Sequence, residues 1–201
     1  MRKTDGERER RPVPSAILFD RDGTLVADVP YNTDPDLVVP MPGALQTLRR
    51  LRALGIACGV VTNQAGVGLG LIAEHELRAV NARIEEILGP FDTWQVCPHA
   101  PEDRCECRKP KPGLVLAACR DLGIRPEDAV VIGDIGKDME AARRAGSRGI
   151  MVPTPITLRP EILDAPTVAG DLSSAVMLAL GAELAHSTRL DPGAPPLGSA
   201  A

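Results

Sequence analysis

Aromatic residues are nearly absent: among 201 residues there are two Phe, one Tyr and one Trp. Phe19, Tyr31, Phe91 and Trp94 are too few to serve as stacking platforms for single-stranded nucleic acid. An excess of positive charge is lacking too, since 23 Lys and Arg face 27 Asp and Glu, for a net charge of −4. A chain of that sign has no general means of displacing counterions from nucleic-acid phosphates. No stretch approaches the roughly 18 apolar residues of a membrane span. The opening MRKTDGERERRPVPS has no apolar centre of the kind a signal peptide needs. What remains is the expectation of a cytoplasmic protein with reduced thiols, acting on a small molecule, with no nucleic-acid or membrane partner. Its oligomeric state is left open, a monomer being favoured.

With 44% hydrophobic residues the chain can bury one core and is too short for two full-sized ones. One domain is expected over 16–184, between disordered tails at 1–15 and 185–201, the second rich in Pro, Gly, Ala and Ser. Short apolar runs at 15–20, 56–63, 93–98, 128–134 and 148–154 read as buried strands. Segments with helical spacing separate them at 42–55, 73–89, 112–123 and 137–146. A weak final strand near 166–170 and a helix over 171–181 close the pattern. Strands and helices in alternation imply βαβ units, hence a Rossmann-like α/β three-layer sandwich with a mostly parallel sheet covered on both faces.

In such sheets ligands bind beyond the carboxyl ends of the strands. That rule singles out Asp20, Thr62, the stretch 97–111, and Asp134. In FDRDGT, Asp20 and Asp22 stand two residues apart, and two carboxylates so close repel unless a cation or a proton lies between them. A hard divalent ion such as Mg2+ resolves this and also takes phosphate oxygens into its shell. The competing reading is a turn in which Asp and Gly only cap. Thr62 and Asn63 can donate to an anion, and Asp134, with Asp138 one helical turn later, offers a second carboxylate to the same cation.

CPHAPEDRCECRKPKPG gathers three of the five cysteines. Cys97, His99, Cys105 and Cys107 form C-x-H-x5-C-x-C, which suits a closed tetrahedral Zn2+ site. Scattered buried thiols are the bland alternative, and the one that fits Cys58 and Cys119 in their apolar surroundings. Arg108 and Lys109 follow the last ligand directly, so a zinc-fixed loop would present two cations to a phosphate.

Taken together, D-x-D-G-T at 20–24, the Thr62 station, CRKP at 107–110 and G-D-x-x-x-D at 133–138 resemble the haloacid dehalogenase-like phosphatase superfamily, over about residues 16–180. The resemblance implies a phospho-aspartate mechanism with Asp20 as nucleophile and Asp22 as general acid and base. It implies Mg2+ held by Asp20, the backbone carbonyl of Asp22, and Asp134, with Asp138 in support. Lys109 is the expected catalytic lysine; spacing alone does not separate it from Lys111, and the CRKP motif favours Lys109. The zinc loop resembles that of heptose 1,7-bisphosphate and histidinol-phosphate phosphatases, which are largely capless. No insertion here has room for a large cap domain. Asp28, Val29, Pro30 and Tyr31 resemble the heptose enzymes' substrate loop, and Thr62, Asn63 and Gln64 their Thr-Asn-Gln stretch. The resemblance therefore implies removal of the 7-phosphate from D-glycero-D-manno-heptose 1,7-bisphosphate, with Asp28, Tyr31, Asn63, Gln64 and Arg108 at the substrate. Two departures keep histidinol phosphate as the alternative: Ile135 stands where the heptose enzymes usually have lysine, Lys137 coming two residues later, and the zinc loop is short. A zinc-supported binding module without catalysis is the reading of another class.

Overall fold

The computed structural model describes residues 13–181. The expected tails lie outside the described residues apart from 13–15, and Ser15 already donates its backbone N–H to Asp128 O at 2.8 Å.

Five parallel strands form one sheet: β1 (Ala16–Phe19), β2 (Ala57–Asn63), β3 (Thr93–Cys97), β4 (Ala129–Gly133) and β5 (Arg148–Met151), in the order β3-β2-β1-β4-β5. Between β1 and β2 lies α1 (Ala44–Ala53), and between β2 and β3 lie the short α2 (Ala65–Gly68) and the long α3 (Glu74–Leu88). Then come α4 (Gly113–Leu122) before β4, α5 (Gly136–Ala145) before β5, and α6 (Arg159–Asp164) and α7 (Leu172–Leu180) after it. The chain moves outward from β1 to β3 and then returns to the other side of β1, so the ends of β1 and β4 flank the point where strand order reverses.

Both faces of the sheet are buried, which is why the strands read as continuous apolar runs. Alternation within β1 and β4 sends Ile17, Phe19, Val130 and Ile132 into one core with Leu48, Leu51, Ile84 and Val176 of the flanking helices. Leu18, Ala129 and Val131 join a second core with Val115, Ala118 and Ala142. Each fully buried aliphatic side chain contributes about 1.5–3 kcal/mol relative to exposure. Cys58 and Cys119 sit in these cores as packing residues.

Two details differ from the pattern expected of the sequence. The final strand near 166–170 is a single parallel bridge, Met151 to Val168, because the segment leaves the sheet at once to start α7. The short helices α2 and α6 were not expected, since four and six residues are too few to display a 3.6-residue period. Between β1 and α1 runs only loop with one 3-10 turn, Pro35–Leu37, so no cap domain is inserted there. No helix among the described residues is long and apolar enough to cross a membrane.

Candidate active site

β1 and β4 end side by side, and the side chains just beyond them converge. Asp20, Asp134 and Asp138 each bring one carboxylate oxygen within 4.8 Å of the others, and all three are buried. The Asp134 approach explains the motif's glycine: Gly23 has φ +76°, and a Cβ on it would collide with the Asp134 carboxylate. Gly133 is constrained likewise, its Cα lying against the Asp138 carboxylate. Thr157 donates its hydroxyl to Asp134 O at 2.9 Å and so pins the turn after β4.

The lysine comes from the far side of the sheet. Lys109 is 3% exposed and donates from Nζ to Asp20 Oδ1 at 2.7 Å, to Val61 O at 2.9 Å and to Asp138 Oδ1. Lys111 turns the other way, its Nζ bonding Arg104 O at 3.1 Å and Glu106 Oε1 at 2.8 Å. Of the two lysines, only Lys109 reaches Asp20 and Asp138.

Burial and crowding set the electrostatics. Burial pushes Asp20 up to about 8; the Lys109 ammonium opposes this, while Asp138 and Asp22 push the same way. Asp134 is pushed up to about 7, first by burial and then by Asp138. Burial pulls Lys109 down, but the carboxylates of Asp138 and Asp20 outweigh it and hold the amine above its ordinary value. One ammonium among three buried carboxylates leaves a surplus of negative charge, and the donor set suits a hard cation. Asp138 has given Oδ1 to Lys109 and Oδ2 to the Ile135 N–H, and Asp20 has given Oδ1 to Lys109, so the oxygens left for a metal are Asp20 Oδ2 and those of Asp134.

Asp22 stands outside that cluster of three. Its carboxylate accepts from Arg21 Nε at 3.0 Å on both oxygens and from Gln64 Nε2 at 2.7 Å. Gln64 also donates to Thr62 Oγ1 at 2.9 Å, which ties the Thr62 station to Asp22. Gln64 and Asn63 were expected at the substrate, and the structure occupies both amides otherwise. Asn63 Oδ1 accepts from Lys109 N–H at 3.0 Å and Asn63 Nδ2 donates to Lys109 O at 3.1 Å, a two-point clamp on the backbone of Lys109. Asp28 and Tyr31 are exposed at the rim, Asp28 close enough to Asp22 and Asp134 to be felt electrostatically. Arg108, half-buried, reaches only His99 O, at 3.4 Å. Ile135 caps the start of α5, and Lys137 is exposed.

The cysteine loop closes as the spacing suggests. Cys97 Sγ lies 3.6 Å from both His99 Nδ1 and Cys105 Sγ, and Cys107 Sγ lies 3.2 Å from His99 Nδ1 and 3.4 Å from Cys105 Sγ. A tetrahedral ion with sulfur at about 2.3 Å and nitrogen at about 2.0 Å asks for separations of about 3.5–3.8 Å; the two made by Cys97 lie in that range and the two made by Cys107 are slightly shorter, so the donor set matches one closely. Sulfurs this far apart form no disulfide. Burial and the neighbouring Cys97 and Cys105 sulfurs push the Cys107 thiol up to about 12, a crowding that a divalent cation reverses. Both ends of this loop are stitched to the segment after β2: Gln64 N–H donates to Cys97 O at 2.8 Å and Gly68 N–H to Pro98 O at 2.7 Å, while Asn63 holds Lys109.

A family model for haloacid dehalogenase-like hydrolases matches residues 29–146. The chain belongs to the haloacid dehalogenase-like hydrolases. Among its relatives in this family, D-glycero-beta-D-manno-heptose-1,7-bisphosphate 7-phosphatase of Pseudomonas aeruginosa is 33% identical over 145 residues, 70% of this chain and 82% of that protein. D-glycero-alpha-D-manno-heptose-1,7-bisphosphate 7-phosphatase of Mycobacterium tuberculosis is 36% identical over 141 residues, 65% of this chain and 73% of that protein. The structure of D,D-heptose 1,7-bisphosphate phosphatase from B. bronchiseptica, complexed with magnesium and phosphate, superposes with a TM-score of 0.73 at 28% identity, covering 82% of this chain and 97% of that one. This hydrolase thus has the parallel sheet of its family and phosphatases for relatives.

Residues that reasoning from sequence missed are Arg21, Asn81 and Thr157. Arg21 carried a signal, an arginine embedded between two motif aspartates at the end of an apolar strand. Asn81 on α3 and Thr157 beyond β5 carried none, because only folding brings them near.

Proposed function

We propose that this phosphatase is a Mg2+-dependent phosphomonoester hydrolase that removes the 7-phosphate from D-glycero-D-manno-heptose 1,7-bisphosphate. The buried Lys109–Asp20 ion pair beside Asp134 and Asp138 carries the chemical part of the reading. Asp20 attacks phosphorus as the bond to the sugar oxygen breaks, and Asp22 gives that oxygen its proton. Water then attacks the phospho-aspartate, Asp22 takes the water's proton, and inorganic phosphate leaves with Asp20 free again. Lys109 neutralises charge on the nucleophile and the transferring group. Asp20, Asp134 and the Asp22 carbonyl would hold Mg2+, which supplies further neutralisation when bound. The relatives' activity supports the heptose substrate. In this reading the enzyme works in a reducing cytoplasm that keeps its thiols free.

The test is a panel of both anomers of the heptose bisphosphate, other sugar phosphates and histidinol phosphate, with and without chelator. The expected result is Mg2+-dependent turnover with kcat/KM highest for a heptose bisphosphate. A higher value for histidinol phosphate would reassign the substrate, and no turnover of any phosphomonoester would favour a binding module.

Cys97, His99, Cys105 and Cys107 would hold Zn2+, which fixes the loop that ends in Arg108 and Lys109. Cys107→Ser is accordingly expected to lower zinc content and to cut kcat on the order of a hundredfold, the cost of displacing a charged group by about 1 Å. Cys119→Ser, on the buried face of α4, should leave kcat per folded molecule nearly unchanged. Zinc content by elemental analysis and steady-state rates check both, and a folded, zinc-free Cys107→Ser enzyme of full activity would separate the cluster from the lysine.

A further inference from the structure

Arg21 is 2% exposed, and a guanidinium so deeply buried destabilises a fold by several kcal/mol unless its donors are satisfied. Here they are used in one direction. Nε faces both oxygens of Asp22, Nη2 lies 3.0 Å from Asp22 Oδ1, and Nη1 donates to Asn81 Oδ1 at 2.9 Å. The Arg21 backbone is fixed as well, its carbonyl accepting from Leu25 N–H at 2.9 Å and Val26 N–H at 3.1 Å. A planar fork held at its base by a turn and at its tip by α3 can present Asp22 in only one orientation. Gln64 supports the same carboxylate from the loop after β2.

We propose that Arg21, anchored by Asn81, is a positioning residue that aims the Asp22 carboxyl group at the oxygen leaving phosphorus and, in the second half-reaction, at the attacking water. The inference rests on the phosphatase reading, in which Asp22 passes one proton to the leaving oxygen as the P–O bond breaks and recovers one from water. A misaimed acid slows substrates with poor leaving groups most, because an alkoxide must be protonated as it departs whereas nitrophenolate leaves with little help.

The experiment compares Arg21→Lys, which keeps the charge and loses the fork, with Asn81→Ala, which leaves the Asp22 contacts and removes the anchor. Asp22→Asn is the reference. The readout is kcat/KM on the best sugar phosphate divided by kcat/KM on 4-nitrophenyl phosphate, which reports the half-reaction in which the leaving group departs and not the hydrolysis that both substrates share, with thermal unfolding alongside. The ratio is expected to fall about 10–100-fold in Arg21→Lys and about 3–10-fold in Asn81→Ala, the scale of a misplaced general acid. An unchanged ratio in the folded variants, or equal losses on both substrates, overturns the inference while Asp22→Asn keeps its leaving-group effect. Should Arg21→Lys fail to fold, Asn81→Ala decides by the same ratio. If Asp22→Asn itself leaves the ratio unchanged, Asp22 is no acid and the inference falls together with the mechanism beneath it.

Discussion

Asp20→Asn is expected to lose turnover by on the order of 10^4-fold or more, the scale on which a member of a nucleophilic unit acts. The amide is a poor nucleophile and a poor ligand for a hard cation, so one substitution removes both contributions. Folding should survive, because Asn fills nearly the same volume, and the backbone N–H of residue 20 still bonds Ile132 O. Its side-chain oxygen can also still accept from Lys109 Nζ. Circular dichroism together with single-turnover phosphate release checks the pair of expectations. A folded Asp20→Asn protein with near-native turnover would rule out a phospho-aspartate at this position.

Lys109→Met is expected to affect both rate and stability. The ammonium is the shared partner of Asp20 and Asp138, and Asp138 is fully buried. Removing one member of a buried ionic group leaves charge without compensation and typically costs about 3–5 kcal/mol, far more than the group's net contribution relative to an apolar replacement. Urea unfolding in the presence of chelator should therefore show a loss of about that size. Lys111→Met gives the comparison: its partner Glu106 is exposed, and loss of an exposed pair changes stability by less than about 1 kcal/mol. In the rate, Lys109→Met should lose on the order of 10^2–10^3-fold, as when one preorganised donor to a developing charge is removed. Equal stability of the two variants would contradict the buried ion pair.

The sequence by itself determined the α/β alternation, the strand ends at which the candidate site lies, and the four zinc-ligand candidates. These features are local: a strand is an apolar run, a motif aspartate follows it directly, and Cys97, His99, Cys105 and Cys107 lie within eleven positions of one another. Tertiary structure decided what each polar side chain is bonded to. Asn63, from its place at a strand end, and Gln64, from the family resemblance, are expected at the substrate, yet one clamps the backbone of Lys109 and the other holds Asp22, because partners 46 and 42 residues away arrive there only when the sheet forms. Spacing alone does not separate Lys109 from Lys111, though the CRKP motif favours the first, and the direction of the loop sends Lys109 to Asp20 and Lys111 to Glu106. Arg21 and Asn81, 60 residues apart, become one unit because α3 packs over the turn after β1. Motifs can be read from a chain because their residues are neighbours along it; hydrogen-bond partners cannot, because a buried donor is satisfied by whatever the fold places within about 3 Å.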